Sequence, residues 1–197
     1  DLEIYNCAYL ENPIAALKAM PALISVNFSQ NSQKAANSYD ANTLLHALAG
    51  EDSRSAKKIQ ILYMNNMGIT GKIDGKKLAS MKSLGLLDLS DNKITEVTSF
   101  GKEINLVQLH LNNNQIESLS RGDEGEVFCG MADVETFSVR NNRLTEFPDI
   151  FDAKSLYAVV SIDFSFNHIS SFPDDFKGVF VETLTIANNP ELEVYPI

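Results

Sequence analysis

The chain has 197 residues, 44% apolar and 21% charged, which is enough hydrophobic material for one soluble folded domain and too much for a disordered segment. With 26 acidic residues against 16 Lys and Arg, the formal charge of -10 opposes binding to nucleic acid or an anionic membrane, and no apolar run nears the ~20 residues that cross a bilayer. Cys7 and Cys129, with His46, His110 and His168, are too few for a disulfide scaffold or a zinc site, and no cofactor or metal is expected.

An eleven-residue template recurs along the chain, with apolar residues at positions 1, 4, 6 and 11 and Asn at position 9. A partial copy opens the chain, with Leu2, Ile4, Cys7 and Tyr9 at positions 4, 6, 9 and 11. Asn12-Pro13 then starts a helical run, Asn as N-cap and Pro at the first helical position. LISVNFSQNSQ from Leu23 is a second copy, spoiled at the last position by Gln33. An added stretch over residues 37–55 follows. In it Leu44, Leu45 and Leu48 have helical spacing, with Asn42 as cap and Gly50 as stop, and His46 lies on that helix. IQILYMNNMGI from Ile59 fits every apolar position but carries Met67 where Asn is expected.

LGLLDLSDNKI (Leu84–Ile94) and LVQLHLNNNQI (Leu106–Ile116) are full copies, followed by a polar acidic loop over residues 120–126. Arg121-Gly122-Asp123 there spells an integrin-type tripeptide, yet so short a string arises by chance, and the loop reads as a solvated turn. VETFSVRNNRL (Val134–Leu144) and VVSIDFSFNHI (Val159–Ile169) are again full copies, and VETLTIANNPE from Val181 receives its last apolar residue one place late, at Leu192. The position-9 residues Cys7, Asn31, Met67, Asn92, Asn114, Asn142, Asn167 and Asn189 are separated by 24, 36, 25, 22, 28, 25 and 22 residues.

This pattern resembles the leucine-rich repeat family, whose motif is Leu-x-x-Leu-x-Leu-x-x-Asn/Cys-x-Leu with 20 to 29 residues per turn. The resemblance implies an α/β solenoid: a curved horseshoe with a parallel concave β-sheet and a mixture of short helices and turns on the convex side. Residues 1–197 then form a single domain of about eight repeats, and since it opens and closes inside repeats, a longer array is expected. Asn31, Asn92, Asn114, Asn142, Asn167 and Asn189 are expected to build a ladder that satisfies backbone groups of the turns. Cys7 would do so weakly and Met67 not at all. The Leu144–Pro148 and Ile169–Pro173 segments look like the typical subclass with Phe147 and Phe172 on the convex side, while Ile69–Ile73 is closer to the plant-like subclass.

Strand side chains pointing outward stack into columns. Position 3 reads Asp1, Ser25, Ile61, Leu86, Gln108, Thr136, Ser161 and Thr183; position 5 reads Glu3, Asn27, Tyr63, Asp88, His110, Ser138, Asp163 and Thr185; position 7 reads Tyr5, Ser29, Asn65, Ser90, Asn112, Arg140, Ser165 and Ala187. The middle turns carry large mixed groups, so Tyr63, Asp88, His110, Asn112, Arg140 and Asp163 are the candidate partner-binding residues. Asp88, His110 and Ser90 or Ser138 invite a triad reading, but an open strand face supplies no oxyanion hole or cleft, so no catalytic residue is assigned. The Asn27-Phe-Ser29 sequon matters only in a source that glycosylates secreted proteins.

By similarity to secreted or surface-anchored leucine-rich repeat proteins of bacteria, including gut commensals, the expected role is recognition of a protein ligand outside the cell or at its surface, and no enzyme. A glycan ligand, a structural spacer that self-associates, and the substrate-recognition part of a larger enzyme such as a bacterial leucine-rich repeat ubiquitin ligase remain alternatives.

Overall fold

A three-residue strand, too short to stand alone, is stable here because each copy of the template lays its strand beside the last. The structure is a computed structural model that describes residues 1–4, 20, 22–30, 41–50, 53, 55–101, 104, 106–120, 133–148, 159–172 and 181–193. The strands, in chain order, are β1 (Leu2–Glu3), β2 (Ser25–Asn27), β3 (Ile61–Tyr63), β4 (Thr70–Ile73), β5 (Leu86–Asp88), β6 (Lys93–Thr98), β7 (Gln108–His110), β8 (Ser118–Ser120), β9 (Thr136–Ser138), β10 (Ser161–Asp163) and β11 (Thr183–Thr185). Eight of them form one parallel sheet in the order β1-β2-β3-β5-β7-β9-β10-β11.

The pairing register follows the template column by column. Val26, Leu62, Leu87, Leu109, Phe137 and Ile162, all at position 4, are successive partners, and each is 0% exposed. Phe28, Met64, Leu89, Leu111, Val139 and Phe164 at position 6 complete the inner layer, so alternation within three strand residues suffices to define the core side. Toward the C-terminal turns the core becomes aromatic. Phe137 meets Phe164 edge-on at 5.9 Å, Phe164 meets Phe147 at 5.3 Å, and Phe147 stacks on Phe172 at 4.9 Å.

After position 7 the chain must turn away from the sheet, and every described copy does so with a left-handed residue at position 8. Gln30, Asn66, Asp91, Asn113, Asn141, Phe166 and Asn188 have φ between 53° and 60°. Asn and Asp tolerate this conformation better than other side chains, which accounts for much of the Asn doubling in the sequence. The next residue closes the turn. Asn114 Oδ1 accepts from Ile94 N–H at 3.0 Å, and its Nδ2 donates to Leu89 O and Leu111 O, each at 3.0 Å. Asn92, Asn142, Asn167 and Asn189 repeat this arrangement, each bridging the position-6 carbonyls of its own and the preceding turn. Met67 N–H is itself caught by Asn92 Oδ1 at 2.9 Å, while its thioether side chain is packed into the core.

The return path carries the expected short helices and turns and, beside them, a feature the template does not announce. A second parallel sheet, β4-β6-β8, lies there, with a register shift at Gly71/Lys72 and Ile73, Val97 and Leu119 paired and buried along one face. It arises because the backbone ladder does not stop at the turn: Lys93 N–H reaches Ile69 O at 2.7 Å and Gln115 N–H reaches Ile94 O at 2.9 Å, holding successive return segments parallel. A helix, α1 (Ala41–Ala49), packs on β4 and on a 3-10 turn at Gly75–Leu78. It begins one residue before Asn42, which is therefore inside the helix rather than its cap, and Gly50 follows its end as expected. Asp74 caps the 3-10 turn by accepting from Lys76 N–H at 3.2 Å.

The expectations for Tyr5, Cys7, Tyr9, the Asn12-Pro13 helix, Asn31, Gln33, the Arg121-Gly122-Asp123 loop, Cys129 and Pro173 lie outside the described residues.

Candidate functional site

The outward side chains of the larger sheet form three rows. Asn27, Tyr63, Asp88, His110, Ser138, Asp163 and Thr185 are successive register partners in the position-5 row. Tyr63, Asp88 and His110 thus sit side by side, all half-buried, while Asp163 lies four strand steps from Tyr63, about 19 Å at the usual strand spacing. Asn112 and Arg140 occupy the position-7 row, Asn112 half-buried and Arg140 exposed. Tyr63 and Asp88 therefore fall in one neighbourhood and Asn112, Arg140 and Asp163 in another, with His110 on the strand between them.

The first neighbourhood is an open depression of about 370 Å³ lined by Asn27, Ser29, Gln30, Tyr63, Asn65 and Asp88. Its polar walls are tied to the backbone. Asn27 Oδ1 and Asp88 Oδ1 each accept from the N–H two residues on, at Ser29 and Ser90, both at 2.9 Å, and Ser29 Oγ donates to Asn65 Oδ1. Asp88 thus spends one oxygen on its own turn, and among the described residues no hydrogen bond or ion pair joins it to His110. That geometry gives no support to a triad.

The second neighbourhood centres on Arg140. Asn112 Oδ1 accepts from Arg140 N–H at 3.0 Å and from Ser138 Oγ at 2.5 Å, supplying across the turn the acceptor that Asn27 or Asp88 supplies within it. Arg140 Nη1 donates to Ser165 Oγ at 2.8 Å, and Ser165 Oγ–H donates to Asp163 Oδ1 at 2.5 Å. Asp163 also accepts from Ser165 N–H at 2.8 Å. The guanidinium lies over the ring of Phe166, 4.2 Å from its centroid. Asn112 and Asp163 consequently act on Arg140 as positioning groups, each with an oxygen already engaged.

Phe166 stands at position 8, outside the outward columns at positions 3, 5 and 7, and so is absent from the candidate residues that the sequence offers. Position 8 carries the signal: seven polar residues and one Phe across the eight copies. Phe166 is 41% exposed and has φ 58°, a conformation that costs an ordinary L-residue about 1–2 kcal/mol.

No protein-family model matches the chain. Its backbone superposes on the crystal structure of a leucine-rich repeat protein from Bacteroides eggerthii with a TM-score of 0.77 and 33% identity, over 95% of this chain and 31% of that one. A leucine-rich repeat protein from Bacteroides thetaiotaomicron matches at 0.73 and 32% identity, over 98% of this chain and 23% of that one. The chain is a leucine-rich repeat protein. Among curated sequences this leucine-rich repeat chain is similar to lumican from Gallus gallus, 30% identical over 113 residues, which is 57% of this chain and 31% of that protein. It therefore spans less than a third of the length of each of these relatives.

Proposed function

We propose that the concave sheet recognises a protein ligand, at a cell surface or outside the cell, and that Tyr63, Asp88, His110, Asn112, Arg140 and Asp163 form or position the contact surface. The observation that carries this reading is the content of the outward rows. A phenol, an imidazole and a carboxylate stand on the strands and a guanidinium two residues beyond β9; Asp88 and Asn112 are tied to backbone N–H groups, and Arg140 is held by Ser165 Oγ. Tyr and Arg on a pre-organised scaffold are the groups that most often dominate binding energy at protein interfaces. Recognition needs no chemistry at this face, and the depression beside Tyr63 is open and shallow, as suits a side chain of a partner rather than an enclosed substrate.

The test is affinity capture from surface extracts with the parent chain and with a Tyr63→Ala, His110→Ala, Arg140→Ala triple variant whose fold is checked by circular dichroism. A partner retained by the parent and lost by the folded variant is the expected result. Equal retention by both would remove the assignment of this face.

A further inference from the structure

We propose that Arg140 and Phe166 together form an anchor for a segment of a protein ligand in which one acidic side chain neighbours an aliphatic or aromatic one; the proposal rests on the protein-recognition reading of the concave face. Position 8 requires a left-handed residue but not an aromatic one. Phe166 N–H donates to Ala187 O at 2.9 Å, just as Asn141 N–H donates to Ser165 O at 2.9 Å, so the turn is built identically with either side chain. The Phe166 ring takes no part in the aromatic chain of the core, which runs Phe137, Phe164, Phe147, Phe172. A conformation that disfavours Phe is thus occupied by an exposed Phe with no core contact of this kind to offset it.

Arg140 supplies the second half. Its side chain is held by Ser165 and by the ring, so little conformational freedom remains to be lost on binding. Arg143 pairs with Glu117 at 3.8 Å, but among the described residues no carboxylate pairs directly with Arg140, and most of its N–H groups are available to a ligand. A carboxylate is the group that a guanidinium fork fits best. Asp163, linked through Ser165, and the overall charge of -10 weigh against a run of acids, so a single acidic residue is favoured. With the guanidinium on one ring face, the pair presents cation and hydrocarbon side by side. That arrangement suits a carboxylate next to an apolar side chain better than the flat face of a neutral sugar.

The probe is a phage-displayed library of short random peptides, selected on the immobilised parent and on Arg140→Gln, Phe166→Asn and Tyr63→Ala/Asp88→Ala variants, with the best peptide then synthesised and titrated by fluorescence anisotropy. The parent is expected to enrich peptides with one Asp or Glu beside Leu, Ile, Phe, Tyr or Trp. Arg140→Gln and Phe166→Asn should each weaken the titrated peptide about tenfold or more. Phe166→Asn should do so while its melting temperature stays at or above the parent's, a combination that a merely structural Phe would not give. Peptides unaffected by both substitutions but lost in Tyr63→Ala/Asp88→Ala would overturn the anchor and leave concave recognition standing. No enrichment, or enrichment insensitive to every variant, would overturn both. Binding to a glycan array that Phe166→Asn abolishes, with no peptide enriched, would also overturn the proposal by replacing its ligand class.

Discussion

Asn113 and Asn114 are adjacent, identical in type and required for different reasons, and replacing each in turn separates those reasons. Asn114→Ala removes the acceptor for Ile94 N–H, a group in the fully buried part of the core, and removes donors to Leu89 O, Leu111 O and Asn112 O. The carbonyl losses are partial. Leu89 O keeps Asn92 Nδ2 at 2.8 Å and Leu111 O keeps Asn142 Nδ2 at 2.9 Å, because each is shared by two rungs. An orphaned buried N–H costs about 1–3 kcal/mol and each weakened bond a further fraction, so the loss should be about 2–4 kcal/mol. Asn113 is exposed, and among the described residues its side-chain amide bonds only to the Asp91 and Asn141 side chains; its φ of 55° is what the turn needs. Asn113→Gly should therefore cost about 0.5 kcal/mol, whereas Asn114→Gly should be at least as harmful as Asn114→Ala. Equilibrium urea unfolding followed by far-UV circular dichroism measures all three. A loss under about 1 kcal/mol for Asn114→Ala, or equal losses for Asn113→Gly and Asn114→Gly, would refute the division of labour between the two positions.

Three further outcomes follow from the geometry. A Cβ on Gly75 would sit 2.5 Å from Thr98 O and 2.6 Å from Ser99 O, so Gly75→Ala should cost about 2–3 kcal/mol, while Gly85→Ala, with nothing nearer than 3.8 Å, should fall within about 0.5 kcal/mol in the same urea assay. Phe166→Asn relieves left-handed strain but loses the contact with Arg140, for a net gain of about 0.5–1 kcal/mol that thermal unfolding would detect; a net loss would show that the ring supports the fold. In Asn114→Asp, burial raises the folded-state pKa of the new carboxyl above its unfolded value. Its deficit relative to the parent should therefore be least below about pH 4 and grow as pH rises, and a deficit that shrinks on raising pH would contradict this.

The solenoid was legible because its signal is redundant. Leu62, Leu87, Leu109, Phe137 and Ile162 align from the template alone, and the observed pairing joins those same residues in that order. The β4-β6-β8 sheet was not legible. Thr70–Ile73 and Ser118–Ser120 set Gly, Lys and Ser beside the buried Ile73 and Leu119, a pattern that a turn shares, and the propagated backbone ladder makes them strands. Asn42 lies inside the helix rather than at its cap, since helix starts are marked by single residues rather than by a period. The clustering of Asn has two causes, the ladder at position 9 and the left-handed turn at position 8, and the second, which holds Phe166, needs the backbone angles to be seen. The outward rows could be written down from sequence, yet the coupling of Asp163 through Ser165 to Arg140 depends on side-chain direction and could not.

Photocrosslinking reads out directly whether a partner lies against the concave sheet. A benzophenone amino acid would be placed at Gln108 in β7, on the outward face of the larger sheet, or at Glu117, exposed beside the second sheet, in a chain incubated with surface extracts. The expected result is a discrete crosslinked partner from Gln108, abolished by the Tyr63→Ala, His110→Ala, Arg140→Ala substitutions, and none from Glu117. Crosslinking from Glu117 alone, or crosslinking from Gln108 that survives those substitutions, would contradict it.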